Sequence, residues 1–427
     1  MIYKNNGIRR ITKNKMMNKK IIAAASLGTL LEMYDYAIYG FMAPILASIF
    51  FPTADRHIAL IATFAIFAAG FLIRPFAAYW LGTLGDTVGR KKTLTITLLL
   101  MTFSSSFIGL LPTYHTAGII APLLLTICRL AQGVSVAGEM TLASIYIYEN
   151  VSLRHKAFAV SFVALGSVGG LLLALIMSKI TLLIFSKQDY IYIWRLPFLM
   201  GIFVGFAGVY LRSKTRELTD FSQIIAKRQK HPLTTAWNYR KKALVTIFLL
   251  AIYGNGSFYT LFVYMPSYLQ QHGLALSVAM DVIVIAMICY STGLLLSGFT
   301  ADVLGRRAPL TASLIATVLL SIGINQMAHG GSLLEITLAC SSLAIIISFF
   351  IGSAFTASLE QLPLEERASG FTLFFNLSDS LFGGTAPLII LLLNYVFKDF
   401  AFSIYLILMA LFTLPALWLM QDKKSFN

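Results

Sequence analysis

Apolar residues recur along this chain in runs long enough to cross a bilayer, separated by short polar clusters. Twelve runs lie near residues 20–41, 57–81, 93–112, 117–147, 157–184, 194–211, 243–269, 276–299, 308–328, 332–358, 369–396 and 399–420. About 20 apolar residues span the hydrocarbon core as a helix. The pattern therefore predicts an all-α polytopic membrane protein with twelve transmembrane helices. The first run holds Glu32 and Asp35, and no small-residue cleavage site follows it. It reads as a span and not as a cleavable signal peptide.

Composition agrees. Hydrophobic residues make up 58% of the 427 and charged residues 12%, with a mean hydropathy of +0.78. Soluble domains carry about a quarter charged residues, and a water-soluble fold of this length could not hide so much apolar surface. A soluble enzyme and a disordered chain are poor readings. The net charge of +15 taken alone suggests nucleic acid, but its distribution argues otherwise. Basic residues gather in the N-terminal tail, at Arg90, Lys91 and Lys92, at Arg154 and Lys156, within 212–242, at Arg306 and Arg307, at Arg367, and at Lys423 and Lys424. All of these fall on one side of the twelve-span layout. The positive-inside rule makes that side cytoplasmic, with both termini on it. The excess charge is a topology signal that also attracts the lipid bilayer surface, and no nucleic-acid partner is expected. Cys128, Cys289 and Cys340 stand far apart in apolar runs and read as small packing residues.

An internal repeat organises the chain. Gly82-Thr-Leu-Gly-Asp86-Thr-Val-Gly89-Arg90 lies between the second and third runs, and Gly298-Phe-Thr-Ala-Asp302-Val-Leu-Gly305-Arg306 between the eighth and ninth. Asp86 and Asp302 are half a chain apart. The expected division is a tail at 1–19, a six-helix half at 20–211, a cytoplasmic linker at 212–242, a second six-helix half at 243–421 and a tail at 422–427. Parallel six-span repeats belong to transporters that hold substrate between the halves near the midplane. Glycine permits tight turns, and the carboxylates can accept from a neighbouring helix end or pair with arginine. Gly82, Asp86, Gly89, Arg90, Asp302, Gly305 and Arg306 are thus candidates for an inner gate. Arg74, before Pro75, is placed nearer the cytoplasmic end, where it can snorkel as an interface residue beside that gate.

Ionisable groups inside spans are costly and therefore functional candidates. At a rise of about 1.5 Å per residue, Glu32 and Asp379 sit about 18 Å from the cytoplasmic edge, with Tyr253 and Asn255 at similar depth. Glu32 and Asp35 share a helix face with Tyr36 and Tyr39. Two close carboxylates disfavour joint ionisation, so one can carry a proton. Arg129 can pair with one of them or hold a substrate carboxylate. Glu139, about 15 Å deeper, lies on a proton path or acts as a hydrogen-bond hub. Tyr36, Tyr39, Tyr253 and Tyr259 can offer aromatic faces to a quaternary ammonium. His57, His115, His155, His231, His272 and His329 fall in connections or at span ends, so a core histidine relay and a metal site are not expected. No Walker loop, HExxH or GxSxG occurs. Neither a cofactor nor a catalytic residue is expected, and the chain does not read as an enzyme.

Longer segments carry a resemblance. They are Leu31-Glu32-Met33-Tyr34-Asp35-Tyr36, Phe71-Leu72-Ile73-Arg74-Pro75 running to the repeated turn, Arg129-Leu130-Ala131-Gln132-Gly133 with Gly138-Glu139, Tyr264-Met265-Pro266-Ser267-Tyr268, and Gly383-Gly384-Thr385-Ala386-Pro387. Together they resemble the metabolite:proton symporter family of the major facilitator superfamily, from the first span to the last. The resemblance implies the major facilitator fold and proton-driven uptake of a small zwitterion or carboxylate across a bacterial inner membrane. It maps an acidic pair to Glu32 and Asp35 and a fourth-span pair to Arg129 and Glu139. The sequence departs where members often have Gly-Gly-Glu, with Ala137 before Gly138-Glu139. It ends soon after Trp418, and osmotic activation through a coiled-coil tail is not expected. Asp379 matches no known family site. The expected activity is a monomeric proton-coupled symporter of a small zwitterion such as proline or a betaine, working by alternating access. An organic-acid symporter for 2-oxoglutarate-, citrate- or shikimate-like substrates is the rival and would call for a second deep arginine, a part that Arg74 could take. A non-transporting membrane sensor is the alternative of another class.

Overall fold

The computed structural model describes residues 19–52, 55–184, 190–213 and 232–421. Span 1 is Lys19–Phe50, span 2 two helices, Arg56–Leu72 and Arg74–Thr87, span 3 Arg90–Leu110, span 4 Ile120–Asn150, span 5 Lys156–Ile184 and span 6 Arg195–Ser213. In the second half, span 7 joins Lys241–Tyr259 to Met265–Gln271 through a π-helical turn, Thr260–Tyr264. Spans 8, 9 and 10 are Leu276–Leu304, Arg307–Gly330 and Leu333–Leu359. Span 11 joins Arg367–Ser378 to Ala386–Phe397 through a second π-helical turn, Asp379–Gly383, and span 12 is Ala401–Leu419. Among the described residues, ten helical stretches are long and apolar enough to cross a membrane. One of them, Arg367–Leu419, holds spans 11 and 12, and the shorter apolar helix Arg195–Tyr210 completes the twelve.

Span 1 continues well past residue 41, where the apolar run was expected to stop. Its extension is held by packing: Leu46, Ile49 and Phe50 are buried against Ile108, Leu111, Trp194 and Phe198 of spans 3 and 6 and their connections. Of the expected linker, residues 214–231 lie outside the described residues, as do the tails at 1–18 and 422–427. The end of the linker forms a helix, Pro232–Tyr239, tied down by an Arg240–Glu366 ion pair at 3.0 Å.

The breaks in spans 2, 7 and 11 have a common cause. Pro75, Pro266 and Pro387 each stand at the start of the second helical piece. Proline lacks an N–H and cannot close the helical bond to the carbonyl four residues back. The Phe71 carbonyl freed by Pro75 accepts the Ser380 hydroxyl of span 11 at 3.2 Å, and the Phe382 carbonyl accepts the Tyr405 hydroxyl at 2.6 Å. Such irregular backbone is tolerated at membrane depth where protein satisfies it. π-Turns inside helices recur at functional sites. Here the breaks bring Arg74, Tyr259 and Asp379 together at the middle of the bundle.

The face carrying the repeated turns, called the basic face below, is where the halves meet most tightly. Arg74–Thr87 packs on Arg367–Ser378 there, and span 5 packs along span 8. The remaining pieces of spans 2 and 11, Arg56–Leu72 and Ala386–Phe397, pack mainly on spans of their own halves.

Candidate functional site

A cavity lies between the halves at the three helix breaks. Glu32, Arg74, Asn255, Tyr259, Asn376 and Asp379 are among its polar lining, and about 70 Å³ of it admits water-sized occupants. Arg74 Nη1 donates to Asp379 Oδ2 at 2.6 Å, an ion pair joining the two halves, with both side chains buried. The Arg74 guanidinium also lies over the rings of Phe71 at 4.0 Å and Tyr36 at 4.8 Å. Phe71 in turn meets Tyr259 edge-on at 5.7 Å. Arg74 therefore does not snorkel to the basic face. The break at Pro75 sets it facing Asp379, on the cavity wall.

Behind Tyr36 lies Arg129, fully buried. Its guanidinium sits 4.3–4.9 Å from the ring centroids of Tyr36, Tyr39 and Phe67. Arg129 makes no ion pair with Glu32 or Asp35 among the described residues. Its Nη1 donates to Gln132 Oε1 at 2.6 Å, and Gln132 Nε2 donates to Ser105 Oγ at 2.7 Å. Ser105 in turn lies beside the Asp35 carboxyl. Gln132 and Ser105 thus stand between Arg129 and Asp35. Arg129 Nε and Nη2 and Asp35 Oδ1 make no hydrogen bond, although they are buried. Buried polar atoms are normally satisfied, so these are places where a substrate or a proton can act.

Glu32 and Asp35 do not form a close acidic pair facing one space. Glu32 lines the cavity, whereas Asp35 packs toward span 6, where a Cβ at Gly201 would come within 2.6 Å of its Oδ1. Two further tyrosines also differ from expectation. Tyr39 donates its hydroxyl to the Thr63 carbonyl at 3.0 Å within its own half. Tyr253 is fully buried against Phe350, with its hydroxyl 2.5 Å from that of Thr317. Neither lines the cavity, so neither offers it an aromatic face. Glu139 accepts from the Thr97 hydroxyl at 3.0 Å, between spans 3 and 4. Asn255 reaches the Phe375 carbonyl at 3.5 Å across the cavity.

Both repeated turns lock onto the opposite half. Gly89 and Gly305 take φ of 116° and 91°, a region that favours glycine. Asp86 accepts from the Ala368 and Ser369 N–H groups at 3.1 and 2.7 Å and from the Ser369 hydroxyl at 2.6 Å. Asp302 accepts from the Ala157 and Phe158 N–H groups at 3.0 and 2.9 Å. First-turn N–H groups have no partner within their own helix. Each carboxylate therefore caps the start of a helix belonging to the other half, span 11 or span 5. Gly82 and Gly298 make room for this: a Cβ at either would stand 2.8 Å from the opposing backbone, at Ser369 and Phe158 respectively. Arg90 pairs with Asp86 at 3.0 Å and Arg306 with Asp302 at 2.8 Å.

Glu149 and Glu360, absent from the sequence-based candidates, complete these clusters. Glu149 bridges Arg90 at 3.2 Å and Arg367 at 3.0 Å, while Glu360 pairs with Arg306 at 3.1 Å. They end spans 4 and 10. Extending the half-chain repeat beyond the turns would have found them, because they occupy matching places in the two halves.

Comparison with known proteins places the chain. The sequence profile of the Major Facilitator Superfamily matches residues 25–387. The proline/betaine transporter of Escherichia coli (strain K12) is 33% identical over 393 residues, covering 87% of this chain and 77% of that protein. The alpha-ketoglutarate permease of the same organism is 31% identical, covering 91% of this chain and 90% of that protein. Among solved structures, the proton:xylose symporter XylE bound to 6-bromo-6-deoxy-D-glucose superposes with a TM-score of 0.79 at 16% identity, covering 96% of this chain and 97% of that one.

Proposed function

Given that the chain belongs to the major facilitator superfamily, we propose that it is a proton-coupled symporter importing a small zwitterion of the proline or betaine kind. Spans 1–6 and 7–12 rock against each other about the central cavity. The basic face is cytoplasmic, as are both termini, and the membrane is a bacterial inner membrane.

The observation that carries this reading is the buried Arg74–Asp379 pair on the cavity wall. A zwitterion carries one charge of each sign. It can replace the internal pair with two pairs of its own, its carboxylate on Arg74 and its ammonium on Asp379 and the ring of Tyr259. The exchange leaves no buried charge unpaired, which keeps the desolvation cost low. Because Arg74 and Asp379 belong to different halves, a ligand that replaces their direct pair keeps the halves linked through itself. Glu32 is then the additional acid on the wall, suited to carry the proton. Asp35 lies behind this space, beyond Ser105, Gln132 and Arg129, and Glu139 extends the acidic series toward the basic face.

One observation favours a second reading, an organic-acid symporter. Arg74 and Arg129 both face the Tyr36 ring, at 4.8 and 4.6 Å, so the centre of the bundle holds two guanidinium groups. The similarity to an alpha-ketoglutarate permease points the same way. Uptake into proteoliposomes under an imposed inward proton gradient separates the readings. The expected result is gradient-driven accumulation of labelled proline or glycine betaine, each competing with the other and neither displaced by 2-oxoglutarate. Accumulation of 2-oxoglutarate instead would establish the second reading. No gradient-dependent accumulation of any of the three would leave the non-transporting sensor. In the same assay, Asp35→Asn is expected to abolish accumulation above equilibrium.

A further inference from the structure

His272, His329 and Asp399 come from three separate places in the chain. His272 follows span 7, His329 stands in the last turn of span 9, and Asp399 lies in the short turn joining spans 11 and 12. No ligand spacing in the sequence joins them, which is why a metal site was not expected. The fold nevertheless brings them together on the face opposite the basic one. His272 Nε2 lies 3.5 Å from Asp399 Oδ1, and His329 Nε2 lies 3.7 Å from Asp399 Oδ2. The two imidazole rings are 4.5 Å apart between centroids, and all three ligand atoms fall within 4.8 Å of one another.

This spacing suits one ion. Tetrahedral Zn²⁺ with bonds of about 2.0–2.2 Å holds its ligand atoms roughly 3.3–3.5 Å apart. Small side-chain rotations would close the set. The surroundings also fix the ligands as outer partners do in metal sites. His272 Nδ1 is 2.7 Å from the Tyr268 carbonyl. A proton on Nδ1 donates to that carbonyl and leaves the Nε2 lone pair directed at the cluster. The Tyr268 ring stacks on His272 at 4.2 Å, and its hydroxyl donates to Asn325 Oδ1 at 2.9 Å. Asn325 Nδ2 then donates to the Asp399 backbone carbonyl at 2.8 Å. The residue before Asp399, Lys398, is the one non-glycine residue among those described with positive φ, 49°. A backbone held in that region is costly and needs its surroundings to fix it. The side chains of His329 and Asp399 are about half exposed, so an ion can enter from the solvent on that face.

We propose that His272, His329 and Asp399 form a binding site for a divalent transition cation of the Zn²⁺ class, with water in the fourth position. Two imidazoles and a carboxylate suit Zn²⁺ and disfavour the oxygen-seeking Mg²⁺ and Ca²⁺. A bound ion would pin the end of span 7, the end of span 9 and the turn between spans 11 and 12. It would splint Met265–Gln271, the short helix just beyond the π-turn and Tyr259. The site would couple the metal content of the outside medium to the mobility of the cavity's outer wall.

Calorimetric titration of the purified full-length protein with ZnCl₂ tests this, with Co²⁺ as a spectroscopic probe. The expected result is one high-affinity Zn²⁺ per chain that neither Mg²⁺ nor Ca²⁺ displaces. Tetrahedral Co²⁺ bands should appear in the visible region. His329→Ala and Asp399→Asn should each weaken binding at least tenfold and abolish the bands, with an unchanged melting temperature in metal-free buffer. No stoichiometric Zn²⁺ binding by the wild type would overturn the proposal, and so would unaltered affinity in both variants. Should His329→Ala fold poorly, Asp399→Asn decides alone, because it changes only an exposed carboxyl.

Discussion

At the turn between spans 2 and 3, Asp86 receives three hydrogen bonds from the opposite half, and Glu149 stands between two arginines, Arg90 and Arg367. At the turn between spans 8 and 9, Asp302 receives two, and Glu360 pairs with Arg306. The first cluster is also drier. The side chains of Arg90, Asp86 and Glu149 are 1–3% exposed, against 5–11% for Arg306, Asp302 and Glu360. Charge pairs strengthen as water is excluded, and breaking one then costs more. A duplicated motif has thus been put to unequal use. We propose that the Asp86 cluster is the firm side of the closure and the Asp302 cluster the side that yields first when the basic face opens.

That asymmetry can be broken by substitution. Asp86→Asn keeps the shape but removes the charge that caps span 11 and faces Arg90. A cost on the order of 2–3 kcal/mol follows for the closed basic face, a shift of tens- to a hundredfold toward the open form. Spin-label distances between the basic-face ends of spans 4 and 10 should lengthen, and turnover should fall more than affinity. Asp302→Asn should act in the same direction with about half that energy, because the lost contacts are fewer and wetter. Equal effects of the two variants would reject the ranking. The smallest change is Ser369→Ala, which removes the third hydrogen bond to Asp86 that Asp302 lacks. About 1 kcal/mol is expected, which would bring the two sides nearly level. A change no larger than that at a remote surface serine would show that this hydroxyl contributes nothing to the difference.

Much of this was legible in the sequence, and the failures have physical reasons. Span positions follow from run length, because lipid demands it. The paired turns follow from a repeated Gly–Asp–Gly–Arg spacing that few functions other than a tight turn require. Side-chain direction was not legible. A span packed on several sides, with lipid on the rest, is apolar all round, so periodicity does not say which face meets the cavity. Tyr253 and Asn255 are close neighbours at one depth, yet only Asn255 reaches the cavity. Asp35 and Tyr36 are adjacent, yet one faces Ser105 and the other the arginines. Arg74 is hidden from a depth estimate for a different reason: the helix break at Pro75 turns it inward toward Asp379, and residue spacing does not report the direction of a break. The His272–His329–Asp399 cluster was beyond reach, because only tertiary structure joins three connections.

The exchanged caps bear on how the molecule is made. A ribosome delivers Asp86 long before span 11, so the start of span 11 meets its finished cap as it enters the bundle. Span 5 has the opposite history. It is inserted while Asp302 is still unsynthesised, and its first N–H groups stay hydrated until span 8 and its turn arrive. The better-built cluster is the one whose carboxylate is made first but whose helix start is made last, so by chain order the weaker Asp302 cap can close before span 11 exists and the Asp86 cap seals the bundle afterwards.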